Sequence, residues 1–153
     1  MKKALLVIDM QEDYLKDYSI NFVDKINKKI LQANSVNEVI AYIKNKKILK
    51  SGNIIPEFAF GLEVISTNIF YKEKAETFSR MEINSWLAEK EIDTIELIGV
   101  DDQNNSIIKT AVQAKKQGYN VILHCNLIAT ENNISFIEKR EELEKAGIKV
   151  LAQ

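Results

Sequence analysis

Runs of apolar residues divide the chain into short strands, and these alternate with stretches of helical periodicity. The first run, residues 4–8, contains five apolar residues without alternation and ends at Asp9. An unbroken apolar run of this length predicts a strand that is buried on both faces, as in a parallel sheet covered by helices. Similar runs predict strands at residues 39–43, 69–71, 94–100, 121–123 and 148–151.

Apolar residues at helical spacing predict four helices between these strands. The predicted helices cover residues 21–32, 78–90, 106–117 and 134–145. Gly118 follows the third helix and is expected to end it, because glycine adopts the left-handed conformation without steric cost. Residues 51–61 predict an irregular connection. The order β-α-β-β-α-β-α-β-α-β predicts α/β architecture: one three-layer α/β/α domain over residues 1–153, with a mainly parallel, Rossmann-like sheet.

Polar residues follow three of the predicted strands. Asp9 ends the first strand, Lys72 ends the strand at residues 69–71, and the loop 101–106 follows a later strand. Right-handed crossovers bring the carboxyl ends of parallel strands to one edge of a sheet, where ligands bind in open α/β folds. We therefore expect the Asp9 carboxylate and the Lys72 ammonium to point into one pocket at this edge.

Structural roles are also common for these residue types, and they remain open at this point. Asp9 could cap a turn or a following helix, and Ser106 could be a helix N-cap, since Asp and Ser are among the preferred caps. Lys72 could be an exposed lysine after a strand.

Composition narrows the range of partners. The chain has 153 residues, 46% of them apolar and 28% charged, which is typical of a globular protein. The net charge of −1 favours neither nucleic acid nor an anionic membrane surface as a partner. A single Cys125 cannot form an intrachain disulfide, so a reducing, cytoplasmic location is expected. A single His124 excludes a metal site built from several histidines of one chain.

The three polar sites lie in segments that resemble the motifs of the isochorismatase-like hydrolases, also called the cysteine hydrolase superfamily. Residues 5–11, Leu-Leu-Val-Ile-Asp-Met-Gln, resemble the opening strand of that family. Residues 72–78 resemble its Lys-x-x-x-Ser-Ala-Phe segment, in which Lys72 matches the catalytic lysine. Residues 99–121 resemble its Gly-x-x-Thr-x-x-Cys-Val-x-x-Thr-Ala block. The resemblance covers essentially the whole chain and implies an isochorismatase-like fold.

The third block departs from the family pattern at the nucleophile. Counting back from Thr110-Ala111 places the nucleophile position at Ser106, whereas counting forward from Gly99 places it at Asn105. Neither residue is a cysteine. The acidic residue usual after the next strand is Asn126 here, and the metal ligands of nicotinamidases have no counterpart. The sequence therefore argues against a nicotinamidase and implies neither a metal nor a cofactor.

The resemblance implies a hydrolase with Asp9 as general acid or base, Lys72 as its electrostatic partner and Ser106 or Asn105 at the nucleophile position. It also implies a cis peptide near Val100-Asp101, beside the backbone amides that hold the oxyanion. A serine hydroxyl is much harder to deprotonate than a thiol, which has a pKa of about 8.5. True isochorismatases, which cleave a vinyl ether, need the aspartate but not the cysteine, so this chemistry remains open beside amide or ester hydrolysis.

Further expectations concern partners. The substrate is expected to be a small molecule, contacted by residues near the carboxyl edge: Gln11, Tyr14, Asp101 and Asn105. The resemblance implies a homo-oligomer. A catalytically inactive protein that binds or scaffolds on the retained fold is the alternative, because a fold by itself does not carry function.

Overall fold

Eight strands and four helices make up the part of the chain that the structure describes. The structure is a computed structural model, and it describes residues 1–12, 20–49, 52–72, 81–102, 104–130 and 133–151. The strands are β1 (Lys3–Ile8), β2 (Val39–Asn45), β3 (Lys47–Leu49), β4 (Gly52–Ile54), β5 (Ile69–Lys72), β6 (Thr94–Asp101), β7 (Asn120–Thr130) and β8 (Lys149–Leu151). The helices are α1 (Ile20–Ser35), α2 (Met81–Glu89), α3 (Ser106–Lys116) and α4 (Asn133–Lys145).

Six of the strands form one parallel sheet in the order β5-β2-β1-β6-β7-β8. The strand order reverses between β1 and β6, so the sheet has its topological switch point there. In open α/β sheets, ligands bind outside the carboxyl ends of the strands at this point. The predicted α/β fold class is confirmed, and Asp9 and the loop after β6 lie at the switch point.

The sheet is covered on both faces. On one face, α1 packs against apolar residues of β1, β2 and β6 through Val23, Ile26 and Ile30. On the other face, residues of α2, α3 and α4 share a core cluster with the sheet. Every residue of β6 is buried, as are the last five residues of β1. This double burial explains why both strands appear in the sequence as nearly unbroken apolar runs.

Gly99 allows β1 and β6 to approach closely just before the site. It pairs with Ile8, and its backbone has a φ of 123°. A Cβ atom at this position would lie 2.0 Å from the carbonyl oxygen of Ile8, which is far inside van der Waals contact. A side chain here would push apart the two strand ends that carry Asp9 and Asp101.

Several element boundaries differ from the sequence-based prediction. A small antiparallel hairpin pairs β3 with β4, and β4 lies at the start of the irregular connection predicted at residues 51–61. β7 extends to Thr130 rather than ending at Leu123, because it continues past polar residues that interrupt its apolar pattern. α1 continues to Ser35, and Gly118 follows α3 with a φ of 98°, as predicted. Phe78, predicted to begin the second helix, lies outside the described residues. No helix in the described part is long and apolar enough to cross a membrane.

Candidate active site at the carboxyl edge

Asp9 is held at the end of β1 in an unusual backbone conformation. Its φ is 54°, in the left-handed region that non-glycine residues seldom adopt, although Asp tolerates it better than most. Its amide donates a hydrogen bond to the carbonyl of Ile43 at 3.0 Å, and its carbonyl accepts one from the amide of Gln11 at 2.8 Å. These bonds turn the chain sharply after β1, and the Asp9 carboxylate is fully buried. Such conformations are concentrated at functional sites.

Lys72 supplies the positive partner. It ends β5, and its ammonium Nζ lies 3.2 Å from Asp9 Oδ2, with both side chains essentially without solvent contact. Because β2 separates β5 from β1, the lysine side chain crosses the end of one strand to reach the carboxylate. The predicted juxtaposition of Asp9 and Lys72 is confirmed.

Ser106 faces the same pair. It is the first residue of α3 and fully buried, and its Oγ lies 3.4 Å from both Asp9 Oδ2 and the carbonyl oxygen of Val100. The hydroxyl hydrogen can be donated to one of these acceptors at a time. The helix N-cap is Asn105, so the N-cap interpretation does not describe Ser106. Asn105 has φ 55° and ψ 48°, and its half-buried side chain makes no capping hydrogen bond.

The first amides of α3 are bound by two carboxylates of the preceding loop. Asp101 Oδ1 accepts hydrogen bonds from the amides of Ile107, at 2.8 Å, and Ile108, at 3.4 Å. Asp102 Oδ1 accepts from the amide of Asn104 at 3.0 Å and from that of Ser106 at 3.4 Å. A helix N-terminus is normally a ready anion site. In this protein its amides already bind the chain's own anions, so a substrate oxyanion would have to displace them.

Burial dominates the electrostatics of these carboxyl groups. Desolvation raises the pKa of Asp9 from 3.8 to about 6; Lys72 opposes this shift, and the nearby Asp102 carboxylate adds to it. Desolvation also raises the pKa of Asp101 from 3.8 to about 6, against the hydrogen bonds from Ile107 and Ile108. Asp9 Oδ1 and Asp101 Oδ2 are buried and accept no hydrogen bond from the described residues. Both groups are therefore ready to gain or lose a proton near neutral pH.

Gln11 and Tyr14 were also predicted to contact the substrate. The Gln11 side chain is buried and binds backbone: its Nε2 donates to the carbonyls of Asn45 (3.1 Å) and Pro56 (2.9 Å), and its Oε1 accepts from the amide of Asn45 at 2.8 Å. These bonds tie the chain after β1 to the end of β2. Tyr14 lies outside the described residues. Their contacts with substrate remain predictions, as do those of Asp101 and Asn105.

Two features of this edge differ from the sequence analysis or were missed by it. All peptide bonds of the described residues are trans, so the expected cis peptide near Val100-Asp101 is wrong. The capping role of Asp102 was not predicted. Its signal is the run Asp102-x-Asn104-Asn105-Ser106 before a helix, since side chains of this kind bind nearby backbone amides. In the described part of the chain, no three His, Cys, Asp or Glu side chains are grouped so that they could hold a metal ion.

The fold matches solved structures along the whole chain. An isochorismatase family protein from Desulfovibrio vulgaris subsp. vulgaris str. Hildenborough superposes with a TM-score of 0.84 at 20% identity, covering 98% of this chain and 93% of that one. A pyrazinamidase of Pyrococcus horikoshii in complex with zinc gives 0.80 at 18% identity, covering 99% of both chains. N-carbamoylsarcosine amidase from Thermoplasma acidophilum gives 0.76 at 20% identity, covering 99% of this chain and 96% of that one.

The sequence itself carries the family assignment. A comparison with curated proteins finds no match. The family model of the isochorismatase domain, in contrast, matches residues 3–152. That match includes β1 with Asp9, the end of β5 with Lys72, and the β6–α3 loop with Ser106. The chain therefore belongs to the isochorismatase family.

Proposed function

We propose that this protein is a hydrolase of a small amide, ester or vinyl-ether substrate. Asp9 is the general acid and base, Lys72 is its electrostatic partner, and Ser106 is at the nucleophile position. The observation that carries the proposal is the buried contact of 3.2 Å between Asp9 and Lys72, in which the Asp9 carboxyl has its pKa raised to about 6. A carboxyl group of this kind is present in both protonation states near neutral pH, as general acid–base catalysis requires.

The proposed reaction uses both states of Asp9. The protonated carboxyl gives its proton to the substrate as the bond breaks, and the resulting carboxylate takes a proton from the water that completes hydrolysis. The Lys72 ammonium stays beside the carboxylate and stabilises its charged form. No net proton is consumed by the protein, so each turnover returns Asp9 to its starting state.

Occupation of the α3 amides favours one branch of this chemistry. Acyl transfer to Ser106 would develop an oxyanion, and such an intermediate is normally stabilised by free backbone amides. Here the nearest helix amides bind Asp101 and Asp102. Vinyl-ether hydrolysis develops no oxyanion of this type, so the geometry favours non-covalent acid–base chemistry by Asp9. The Ser106 hydroxyl would then serve to orient the Asp9 carboxylate.

Amide hydrolysis is supported instead by the structural neighbours. Two of them are described as a pyrazinamidase and an N-carbamoylsarcosine amidase. An amide substrate would require the loop carboxylates to release the α3 amides, or the Lys72 ammonium to carry the developing negative charge. Both branches need Asp9, and they differ in whether they need Ser106.

Two of the predicted substrate contacts have suitable positions. Asn105 presents a half-buried amide side chain beside Ser106 without a capping bond, and Asp101 keeps one carboxylate oxygen unbound by the described residues. We propose that both contact the substrate. Gln11 contributes by anchoring the chain after Asp9, and Tyr14 is proposed from its sequence position alone. A homo-oligomer and a cytoplasmic location are further proposals, and they rest on the family resemblance and on the single cysteine.

A catalytically inactive binding protein is the second candidate. The same occupied amides favour it, together with the absence of a cysteine at positions 105 and 106. In that case the buried Asp9–Lys72 pair would be retained as part of the fold.

Turnover of a substrate panel tests these candidates. The panel contains isochorismate, several aliphatic and aromatic amides and an activated ester, each incubated with the native protein, Asp9→Ala and Ser106→Ala. Asp24→Ala and Ser85→Ala are matched controls, because both residues are exposed helix positions, whereas Asp9 and Ser106 are fully buried. Circular dichroism and thermal unfolding establish that each variant is folded.

The pattern of loss separates the candidates. Loss of turnover in both Asp9→Ala and Ser106→Ala supports a serine nucleophile. Loss in Asp9→Ala alone supports non-covalent acid–base hydrolysis. If the native protein turns over no member of the panel, the hydrolase proposal fails and the binding protein is favoured. If Asp9→Ala retains full activity, the protein is an enzyme but the assignment of Asp9 as its general acid and base is wrong.

A further inference from the structure

A cavity lies on the α1 face of the sheet and is lined by three lysine side chains. It has a volume of about 580 Å³ and opens between α1 and β7. Its lining residues are Lys25, Lys28, Lys29, Gln32, His124, Asn126 and Leu127. None of them is acidic and none belongs to the carboxyl-edge site. In a chain with a net charge of −1, this is a local concentration of positive charge.

One stripe of α1 provides the lysines. Lys25, Lys28 and Lys29 are spaced i, i+3 and i+4, which places them on one side of the helix, and Gln32 continues the stripe one turn later. Like charges at these spacings slightly destabilise a helix. The stripe is therefore slightly unfavourable for the helix itself.

An irregularity in β7 forms the opposite wall. Leu97 of β6 pairs with Leu123, but Gly99 pairs with Ile128, so a single residue of β6 faces four residues of β7. Three of those four, His124, Asn126 and Leu127, line the cavity. Bulges of this kind redirect side chains and are frequent beside functional sites. The irregular pairing of β7 therefore forms the cavity wall. In a regular strand, these residues would instead pair with residues of β6.

A buried carboxylate below the cavity, Glu96, is the ion-pair partner of one of the three lysines. Glu96 Oε2 contacts Lys29 Nζ at 2.9 Å and His124 Nε2 at 2.5 Å. These contacts satisfy a charge that is otherwise costly to bury. Lys25 and Lys28 form no ion pair with a carboxylate of the described residues. Their positive charges are therefore left at the cavity rim without a structural task in this part of the chain.

We propose that this cavity binds a small phosphate-bearing molecule. The ammonium groups of Lys25 and Lys28 meet the phosphate, since lysine binds phosphate as a point charge with three donors. Gln32 and Asn126 provide amide groups, and Leu127 provides apolar contact, for the organic part of the ligand. The volume is within the range of small-molecule pockets. Glu96 holds Lys29 and His124 in place at the floor of the cavity. This inference does not depend on the proposed hydrolase activity.

Titration of the protein with inorganic pyrophosphate tests the proposal. Binding is measured by calorimetry and by the amide chemical shifts of the ¹⁵N-labelled protein. We expect saturable binding that weakens as salt is added, with shifts at residues 25–32 and 124–127. The double variant Lys25→Gln/Lys28→Gln should weaken binding by roughly tenfold or more, because it removes two charge-assisted contacts. The control Lys90→Gln/Lys116→Gln removes the same charge from exposed positions that do not line the cavity and should leave binding unchanged.

Further titrations identify the source of the phosphate. Inorganic phosphate, a nucleoside monophosphate and a sugar monophosphate are compared, and tighter binding of one organic phosphate identifies its class. The proposal is overturned if pyrophosphate does not saturate in the millimolar range, if both double variants bind equally, or if the shifts fall outside the cavity. It is also overturned if a single-stranded oligonucleotide binds much more tightly than the mononucleotide, since the ligand would then be a macromolecule.

Discussion

Asp9 and Glu96 are buried carboxylates on adjacent strands, and their surroundings shift their pKa values in opposite directions. Among the described residues, Asp9 has one cationic neighbour, Lys72 at 3.2 Å, and desolvation raises the pKa of Asp9 to about 6. Glu96 contacts two lysine ammonium groups, Lys29 at 2.9 Å and Lys3 at 3.8 Å, and the His124 imidazole at 2.5 Å. Desolvation opposes the ionised form of Glu96 too, but hydrogen bonds from His124 and Lys29 lower its pKa to about 2.

The comparison shows that burial alone does not decide what a carboxyl group can do. Glu96 stays ionised at all ordinary pH values, and it serves to hold cations in place. The contact with Lys72 does not fully offset the desolvation of the Asp9 carboxylate, so its ionised form is destabilised. Asp9 can therefore exchange a proton near neutral pH. Neighbouring Glu38 belongs to the Glu96 cluster, where burial and the Glu96 charge raise its pKa. We infer that the surroundings of Asp9 suit it to proton transfer, whereas Glu96 stays ionised and positions the side chains that contact it.

The largest expected effect distinguishes the two carboxylates by activity. Asp9→Asn keeps the shape of the side chain but removes its proton transfer, so turnover of a hydrolysed panel substrate should fall by roughly 10²–10⁴. Glu96→Gln should leave turnover per folded molecule within about tenfold of the native value, because Glu96 does not touch the site. Rates are measured at equal concentrations of folded protein. Equal losses in the two variants would contradict the assignment of Asp9 as the acid–base group.

The second effect is on stability at neutral pH. Glu96→Gln leaves Lys29 and His124 beside a neutral group in a largely buried position, and the free energy of unfolding should fall by about 3 kcal/mol. Urea unfolding followed by circular dichroism measures this change, with Glu91→Gln as an exposed control. A loss below about 0.5 kcal/mol, the range of an ordinary surface substitution, would show that the cluster is not a structural ion pair.

The third effect is the pH dependence of the free energy of unfolding, to which Asp9 and Glu96 contribute with opposite signs. The folded-state pKa of Asp9 is raised from 3.8 to about 6, so its contribution to stability is present below about pH 3.8 and lost as the pH rises through 6. Relative to the native protein, Asp9→Asn should therefore gain up to about 3 kcal/mol between these pH values, at about 1.4 kcal/mol per pKa unit. Asp101, raised to about 6, should behave in the same way.

Glu96 should show the reverse trend. Its pKa is lowered from 4.5 to about 2, so its contribution is present above pH 4.5 and lost as the pH falls through 2. Urea unfolding of the native protein, Asp9→Asn and Glu96→Gln over a pH series checks both trends. Parallel curves for the two variants would remove the contrast between the regions.

The smallest expected effect concerns Ser106. Its hydroxyl bonds the Asp9 carboxylate at 3.4 Å and favours the ionised form, so Ser106→Ala should raise the pKa of Asp9 slightly further. Carbon-13 NMR titration of the aspartate carboxyl groups measures the shift, and Ser85→Ala is the control. A lowered pKa in Ser106→Ala would mean that the hydroxyl does not donate to Asp9.

Much of the carboxyl edge could be predicted from the sequence because the relevant signals are local. The unbroken apolar run before Asp9 predicts a doubly buried strand, and β1 has that burial. Parallel connections then place the ends of β1, β5 and β6 at one edge, which is why the contact between Asp9 and Lys72 was expected. The alternative nucleophile positions Asn105 and Ser106 could not be separated in this way, because counting from Gly99 and counting back from Thr110-Ala111 differ by one residue of loop length.

The cavity on the α1 face and the Glu96 cluster below it were not predicted, because both depend on contacts between segments that are distant in the sequence. Glu96 appeared only as one residue of a buried strand, and His124 only as a lone histidine. Their contact joins residues 28 positions apart across two strands, and it requires the irregular register of β7. No local pattern encodes a bulge whose length is set by pairing with β6. The lysine stripe of α1 is visible in the sequence, but the wall that turns it into a cavity is not.

By itself, therefore, the sequence determined the order of the elements, the parallel sheet and the presence of Asp9, Lys72 and the loop before α3 at one edge. These follow from apolar periodicity and from the handedness of strand connections. Only the tertiary structure decided that Asp101 and Asp102 bind the α3 amides, that Ser106 faces Asp9, and that a basic cavity opens above Glu96. The reason is that hydrogen bonds and ion pairs form between side chains according to their distances in space, which separation along the chain does not specify.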